Sequence, residues 1–570
     1  MEESSGSNPT ASSQGHGTNT TGCVYQVAPG SSLIGIKNTN LSTVSVPYAI
    51  NYAVKNEATI ISNSYGMTKG FASLYSAVGS YKSDIQPVYG FSPQGAEAIN
   101  VSAAFQKANQ SGAVILYAAG NNRIYNGVTI DGNLYLNSQD ANKLAYQASP
   151  QTITVAAMNT NSTENAWFSN YGACIFVTAP GQSIQTSNYI YLGENTGAEG
   201  TATVSGTSFS CPFTAGCIAL ATQASEQAGA PMSSRLAKHL LVATSQKVDI
   251  VGNTGWEGMD ARKTWVTNSA GNMFSHTYGF GMVDAEALVK MASEGYAVTE
   301  QSFLSIYHTD GSDKLSYSTQ AEEVYFSGLK FESSTSETTI TATEPFQETS
   351  LSTMDTGSLS INNATTMPGG SQLAVSAAGD AMVVVNEKDT KAGSGMWVQS
   401  FEYEINETDF DDVNFQALEE VALTLAIHGT LGAMEIIVTH TVDVDGTDYS
   451  TSSIFAFAQE TNGTVPDSDG TTWLEETLDG IIWTFSSNAF WGEDVAGTWQ
   501  IDIYDMYNTA SDLDYQSLIM TYTMGEMYAL ETPPTPSSDV PEPATWILLI
   551  GFCGWLLVQT RFRRKVNSPL

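Results

Sequence analysis

The sequence is poor in positive charge. Its 570 residues include 21 Lys and Arg against 58 Asp and Glu, which gives a formal net charge of −37. No Lys or Arg stands between Lys391 and Arg561. A surface of this charge repels phosphate backbones, so the composition excludes a role in binding nucleic acid. The stretch without basic residues fits two interpretations: a solvated acidic surface suited to salt or calcium, or an exterior that resists cleavage at basic residues.

Cysteine is also scarce. The chain has five, namely Cys23, Cys174, Cys211, Cys217 and Cys553. They are too few and too scattered for a disulfide scaffold or a CxxC metal site. Cys211 and Cys217 lie nearly two turns apart on a predicted helix, so a disulfide between them would be strained. We therefore predict buried free thiols.

Three short strings carry the chemistry of the first half. They are G-H-G-T at Gly15–Thr18, A-A-G-N at Ala118–Asn121 and G-T-S-F-S-C at Gly206–Cys211. A serine before a helix is by itself more often a cap than a nucleophile. The order of the three strings, with S-N-S-Y-G ending at Gly66 and F-S-N-Y-G ending at Gly172 between them, resembles the subtilisin-like serine proteases of peptidase family S8. The resemblance covers roughly the first 290 residues.

The resemblance implies a role for one residue in each string. Ser208 would be the nucleophile, and His16 would take its proton and return it to the leaving amine. Asn121 would donate to the developing oxyanion. The apolar segment from Ser208 to Ala228 predicts a buried helix, and Pro212 is compatible with it only near the first turn.

One part of the family pattern is missing. The family places a catalytic Asp at the end of a strand before the His, and residues 1–15 contain no Asp and no apolar strand. Two interpretations remain: the chain as given starts late, which we favour because no signal peptide is present either, or its triad is damaged.

Length and pattern predict several domains. Apolar strand-like runs alternate with helical stretches in residues 1–295, which predicts an α/β subtilisin-like domain with a parallel sheet. The string ending at Ala285 resembles the kexin and furin branch, and His276 within it is predicted to be structural. An all-β region follows: a β-rich insert at 296–395, then 396–528, where F-W-G-E-D and G-T-W resemble the P-type β-sandwich of proprotein convertases.

The substrate specificity of the kexin branch is not supported by the residues. Relatives that cut after paired basic residues carry acids soon after the string that here reads S-Y-G, whereas this chain continues with M-T-K-G. The backbone of Ser64, Tyr65 and Gly66 is a candidate for pairing with an extended substrate. Asp131 and Asp140 are candidates for an acidic pocket residue, with a turn Asp as the plainer interpretation of either.

Two further expectations concern bound calcium and the C-terminal segment. The family implies structural Ca²⁺. Asp443–Asp448 and Asp409–Asp412 are oxygen-rich but lack the spacing of a known calcium loop, and no metal ligand is assigned.

The C-terminus has three parts. A linker at 529–543 ends in V-P-E-P, and an apolar segment at 544–560 and a basic tail at 561–570 follow it. This order predicts a C-terminal transmembrane helix and resembles the PEP-CTERM sorting signal of Gram-negative bacteria, which is processed by an exosortase-type enzyme; a plain anchor is the alternative.

The sequence thus predicts an exported serine endopeptidase of the cell envelope or exterior. Its substrates would be proteins or peptides, cleaved through an acyl-enzyme at Ser208, with no catalytic cofactor. The alternative is a catalytically inactive surface protein that keeps the protease fold for binding or assembly.

Overall fold

The computed structural model describes a large part of the chain. The described residues are 15–38, 45–66, 104–123, 127–130, 133–136, 139–144, 146–188, 200–250, 265–309, 312–318, 330–333, 336–339, 371–377, 381–391, 397–406, 416–429, 434–444, 446–458, 478–505, 514–530 and 546–552.

The first half alternates strands and helices, as its pattern predicts. The helices are α1 (His16–Val27), α2 (Ser45–Lys55), α3 (104–110), α4 (Thr207–Gln227), α5 (Ser234–Thr244) and α6 (Ala285–Ala292), with a 3₁₀ turn at Ala141–Lys143. The strands up to α6 are β1 (Ser32–Asn38), β2 (Ile60–Asn63), β3 (Val114–Ala118), β4 (Gly127–Ile130), β5 (Asn133–Leu136), β6 (Thr152–Asn159), β7 (Ile175–Gln182), β8 (Ile184–Ser187), β9 (Thr201–Val204), β10 (Val266–Thr267) and β11 (Met273–Phe274).

The second half of the described chain consists of strands. They are β12 (Tyr296–Val298), β13 (Ser302–Thr309), β14 (Ser312–Ser318), β15 (Lys330–Ser333), β16 (Ser336–Thr339), β17 (Ser371–Ala377), β18 (Ala381–Lys391), β19 (Trp397–Ile405), β20 (Leu418–Gly429), β21 (Met434–Val444), β22 (Thr447–Ala456), β23 (Leu478–Ser487), β24 (Gly497–Asp505), β25 (Asp514–Met524), β26 (Met527–Ala529) and β27 (Trp546–Phe552).

A parallel sheet of order β1-β27-β2-β3-β6-β7 forms the centre of the first half. Strands β2 and β3 are buried along their whole length, which is typical of a parallel sheet covered on both faces. The α/β fold with a parallel sheet is confirmed. Helix α4 is largely buried, as predicted, and Cys23, Cys174, Cys211 and Cys217 are buried free thiols, also as predicted.

The C-terminal apolar segment differs from its prediction. Residues Trp546–Phe552 form a strand that pairs in parallel with β1 on one side and β2 on the other. Among the described residues, no helix has the length and apolar character needed to cross a bilayer. The predicted transmembrane helix at 544–560 is therefore corrected over these seven residues. A short apolar run is compatible with a buried strand as well as with a helix, so hydrophobic periodicity alone could not distinguish the two structures.

The described second half contains two large antiparallel sheets, besides the two-stranded pairs β12-β26 and β15-β16. The orders of the two large sheets are β14-β13-β25-β20-β23 and β17-β18-β19-β24-β21-β22. Strands β13, β14, β17 and β18 come from 296–395, the stretch that the sequence suggests is a separate insert. Of these, β13 pairs with β25 and β18 pairs with β19, while β14 and β17 pair with β13 and β18. The boundary at 395 therefore falls within one pair of sheets.

Buried polar contacts join the two halves. The Asn142 side chain donates to the carbonyls of Phe455 and Ser486, each at 2.8 Å. His276 is buried, and its Nε2 accepts a hydrogen bond from the Ile454 N–H at 3.0 Å. The structure thus places His276 at the interface between the halves, in agreement with the structural role predicted for it.

A second interface contact is ionic. Glu419, at the start of β20, receives three hydrogen bonds of 2.6–3.1 Å from the Arg235 guanidinium and one of 2.8 Å from His239 Nε2, both on α5. Gln301 Nε2 donates to the same carboxylate at 2.9 Å. Burial opposes ionisation of Glu419, but the hydrogen bonds from His239 and Arg235 outweigh burial and lower its pKa to about 2. The buried charge is therefore fully paired.

Candidate active site

Ser208 lies at the start of a buried helix. Gly206 precedes α4 with φ of 153°, a conformation that side-chain-bearing residues rarely adopt, and its N–H donates to the Gly181 carbonyl at 2.8 Å. Ser208 is the second residue of α4 and is half-buried. Ser208 therefore lies at the positive end of the helix dipole.

Pro212 shapes this first part of α4. It lies in the second turn, one turn later than predicted. Because proline has no N–H, the Ser208 carbonyl four residues earlier lacks its usual helical partner. The Ser64 hydroxyl donates to that carbonyl at 2.8 Å. The Ser208 hydroxyl in turn lies 3.5 Å from the Ser64 carbonyl oxygen, so residue 64 holds the nucleophile from two sides.

Asn121 is oriented by the residue before the nucleophile. Its Oδ1 accepts from the Thr207 N–H at 2.8 Å and from the Thr207 hydroxyl at 3.0 Å. The Thr207 hydroxyl oxygen also accepts from the Gly120 N–H at 3.1 Å. Because both contacts of the amide use its oxygen, its nitrogen stays available as a donor on the exposed side. Thr207 is a positioning residue that sequence reasoning missed, although it stands within G-T-S.

His16 begins α1, and its ring centroid lies 5.7 Å from that of Phe209. The structure therefore brings the His16 ring beside the residue that follows Ser208. Burial lowers its pKa from the usual range. Within the described chain His16 Nδ1 is buried without a hydrogen-bond partner, so no described carboxylate fixes the tautomer of the ring. Residues 1–14 lie outside the described residues.

The lowered pKa gives a prediction for the pH dependence of the serine. Only neutral imidazole can take the hydroxyl proton. Because burial disfavours the imidazolium, we expect the rate of Ser208 modification by a fluorophosphonate to rise with pH along a limb centred below about 6.5. The second-order rate constant measured between pH 4 and 8 checks this. A midpoint above the ordinary histidine value, or an unchanged limb in His16→Ala, would contradict the assignment.

Ser64, Tyr65 and Gly66 lie among the described residues, and pairing of their backbone with a substrate stays a prediction. Tyr65 is 5% exposed, and its ring packs at 5.5 Å from that of Tyr117, so its side chain belongs to the core and is not available to substrate. Ser64 contacts Ser208 as described, and Gly66 follows it at partial exposure. Asp131 lies outside the described residues.

Asp140 requires a correction. It is 2% exposed and accepts hydrogen bonds from the Asn142 N–H at 2.9 Å and the Phe457 N–H at 3.0 Å. Burial raises its pKa to about 6. Asp140 therefore joins the two halves of the molecule and caps a turn, as the plainer interpretation held, and it is not an acidic residue of a substrate pocket.

Structural calcium stays a prediction, and one of the two oxygen-rich clusters lies largely among the described residues. Asp443 Oδ1 accepts from the Gly446 N–H at 2.7 Å within the hairpin of β21 and β22. Asp409–Asp412 lie outside the described residues. In the described part of the chain no group of three or more His, Cys, Asp or Glu side chains could hold a metal ion.

Two sequence families match the chain. Residues 1–281 match the Subtilase family (Peptidase S8), and residues 474–518 match the Proprotein convertase P-domain. Proprotein convertase subtilisin/kexin type 6 of Rattus norvegicus is 43% identical over 96 residues, which cover 17% of this chain and 9% of that protein. Furin-1 of Xenopus laevis is 27% identical over 294 residues, 50% of this chain and 32% of that protein. The chain thus spans at most about a third of these two relatives.

Solved structures show a looser likeness. The serine protease of Aeromonas sobria, crystallised as a complex with a chaperone, aligns with a TM-score of 0.47 and 15% identity over 82% of this chain and 71% of that one.

Proposed function

We propose that this chain, which carries a Peptidase S8 subtilase domain and a proprotein convertase P-domain, is a serine endopeptidase. The observation that carries the proposal is the arrangement around Thr207. Its backbone and hydroxyl fix the Asn121 oxygen, which leaves the amide nitrogen free to donate beside the half-exposed Ser208. Subtilase and furin-like relatives support the same activity.

The site supports acyl transfer in two stages. The Ser208 hydroxyl attacks the scissile carbonyl carbon, and its proton passes to His16 as the C–O bond forms. The carbonyl oxygen becomes an oxyanion that accepts a hydrogen bond from Asn121 Nδ2. The C–N bond then breaks, and the proton on His16 goes to the leaving amine. Water, deprotonated by His16, releases the acyl group and regenerates the Ser208 hydroxyl.

Fluorophosphonate labelling tests the proposal directly. We expect the full chain to be labelled and the Ser208→Ala variant to lose the label completely. Ser205→Ala removes an exposed hydroxyl three residues away and is the matched control that keeps labelling. Absence of labelling in a folded chain would contradict the endopeptidase proposal.

A second candidate function rests on His16. Its buried, unpartnered Nδ1 in the described chain fits a protease-fold protein that binds or assembles at a surface without catalysis. The labelling experiment separates the two, because a binding protein needs no activated serine.

We also propose the localisation and the processing that the C-terminal sequence suggests. V-P-E-P, the apolar segment and the basic tail support export and processing by an exosortase-type enzyme. Structural Ca²⁺ is proposed on family resemblance alone. The substrate would be a protein or peptide in extended conformation.

A further inference from the structure

Gln147 lies between the two segments that border the nucleophile. Its Nε2 donates to the Ala118 carbonyl at 2.8 Å, two residues before Gly120. A Cβ on Gly66 would come within 3.1 Å of the same nitrogen, and Gly66 is two residues after Ser64. Ser64 and Gly120 contact Ser208 and Thr207 respectively. The Gln147 amide is therefore held between the segments that carry Ser64 and Gly120.

Among the described residues the amide oxygen of Gln147 has no hydrogen-bond partner. The residue is 1% exposed, and within the described chain its buried Oε1 receives no hydrogen bond. A buried acceptor left unsatisfied is destabilising, and such groups are rare unless a ligand completes them. Gly66 lies close to this oxygen, since a Cβ there would be 4.0 Å from Oε1, and it has no side chain that could hydrogen-bond with the amide.

The donor and acceptor count of Gln147 defines what would fit. Nε2 carries two hydrogens, of which the Ala118 carbonyl takes one. One acceptor, Oε1, and one N–H remain, which is the complement of another carboxamide. A Lys or Arg side chain would have to leave water for a single neutral oxygen, which is unfavourable. An apolar side chain would leave the oxygen unsatisfied.

We propose that Gln147 determines specificity for glutamine or asparagine in the substrate residue that supplies the scissile carbonyl. The inference rests on the proposed function, because it places the reacting carbonyl at Ser208 and its oxygen at Asn121. The side chain of that residue then enters the gap between the 64–66 and 118–120 segments and pairs its carboxamide with that of Gln147.

Binding of product-like peptides tests the inference without requiring turnover. The peptides are Ala-Ala-Ala-X with a free carboxylate, where X is Gln, the nearly isosteric Met, or Lys. We expect the full chain to bind the Gln peptide about 10-fold more tightly than the Met peptide by titration calorimetry. Gln147→Leu should make the two affinities equal. Gln147→Glu should move the preference to Lys, a reversal that loss of folding cannot produce.

Gln26→Leu is the control, since Gln26 is exposed and donates only to the Gln185 carbonyl at 2.9 Å. Equal affinities for the Gln and Met peptides in the unmodified chain, an unchanged preference in Gln147→Leu, or no binding of any peptide would each overturn the inference. A preference for Gln in a chain that fluorophosphonate does not label would support the subsite and contradict the endopeptidase proposal. Labelling without a preference for Gln would support the endopeptidase proposal and contradict the subsite.

Discussion

Asn121→Asp is expected to lower the rate of Ser208 modification by about 10²–10³-fold while the fold stays intact. Aspartate keeps the oxygen that accepts from the Thr207 N–H and hydroxyl. It removes the N–H₂ that would donate to the oxyanion and puts negative charge in its place. The substitution therefore removes the proposed donor without releasing the contacts that position it. The second-order rate constant for a fluorophosphonate measures the effect.

Two further variants distinguish loss of the donor from loss of position and from added charge. Asn121→Leu loses both the donor and the contacts to Thr207, so it should react as slowly as Asn121→Asp and also unfold at a lower temperature. Asn122→Asp adds the same charge on the neighbouring, half-exposed residue and should change the rate by less than about 3-fold. A rate for Asn121→Asp within that same range would show that Asn121 does not act on the oxyanion.

The residues of the candidate site could be predicted where short strings carry the geometry. Gly206 and the buried helix after it follow from G-T-S-F-S-C, because glycine permits the turn and small residues permit burial. Strands β2 and β3 follow from continuous apolar runs. Their carboxyl ends bring Ser64 and Asn121 to one edge of the sheet, since parallel strands end on the same side.

Long-range partners could not be predicted in this way. Whether Asp140 faces a substrate or the second half depends on Phe457, which is 317 residues away. Tyr65 follows a strand toward the site, yet its ring turns into a cluster with Tyr117 and Tyr146. The orphaned oxygen of Gln147 is visible only when all of its neighbours are in place. Local sequence encodes none of these contacts.

The parallel sheet contains the largest departure from sequence expectation. Strand β27 lies between β1 and β2, although about 480 residues separate β2 from β27 along the chain. Strands β1 and β2 are joined through α2 but do not pair with each other in the described sheet. Each pairs with β27, which lies between them. A sequence pattern that predicts a membrane span therefore belongs here to a strand of the central sheet. Both a bilayer and a sheet covered on both faces favour apolar side chains, so the pattern is the same.

Arg235→Met is expected to destabilise the chain by about 3 kcal/mol. Glu419 is buried and receives most of its hydrogen bonds from the Arg235 guanidinium. Removing the guanidinium leaves a carboxylate that, among the described residues, keeps only its hydrogen bonds from His239 and Gln301. The free energy of unfolding, from urea titration followed by tryptophan fluorescence, measures the loss. Lys290→Met, at an exposed position of α6, should cost less than about 0.5 kcal/mol.

A second substitution and the pH separate charge from packing at this interface. Glu419→Gln added to Arg235→Met should restore part of the stability, because no unpaired charge then remains buried. Glu419 has a folded-state pKa of about 2, below its unfolded value of about 4.3. Its ionic contribution is therefore complete above the unfolded pKa and is lost as the pH falls toward 2. The cost of Arg235→Met should shrink over the same interval. A cost that is equal at pH 7 and pH 3, with no recovery in the double variant, would mean that packing and not charge joins α5 to β20.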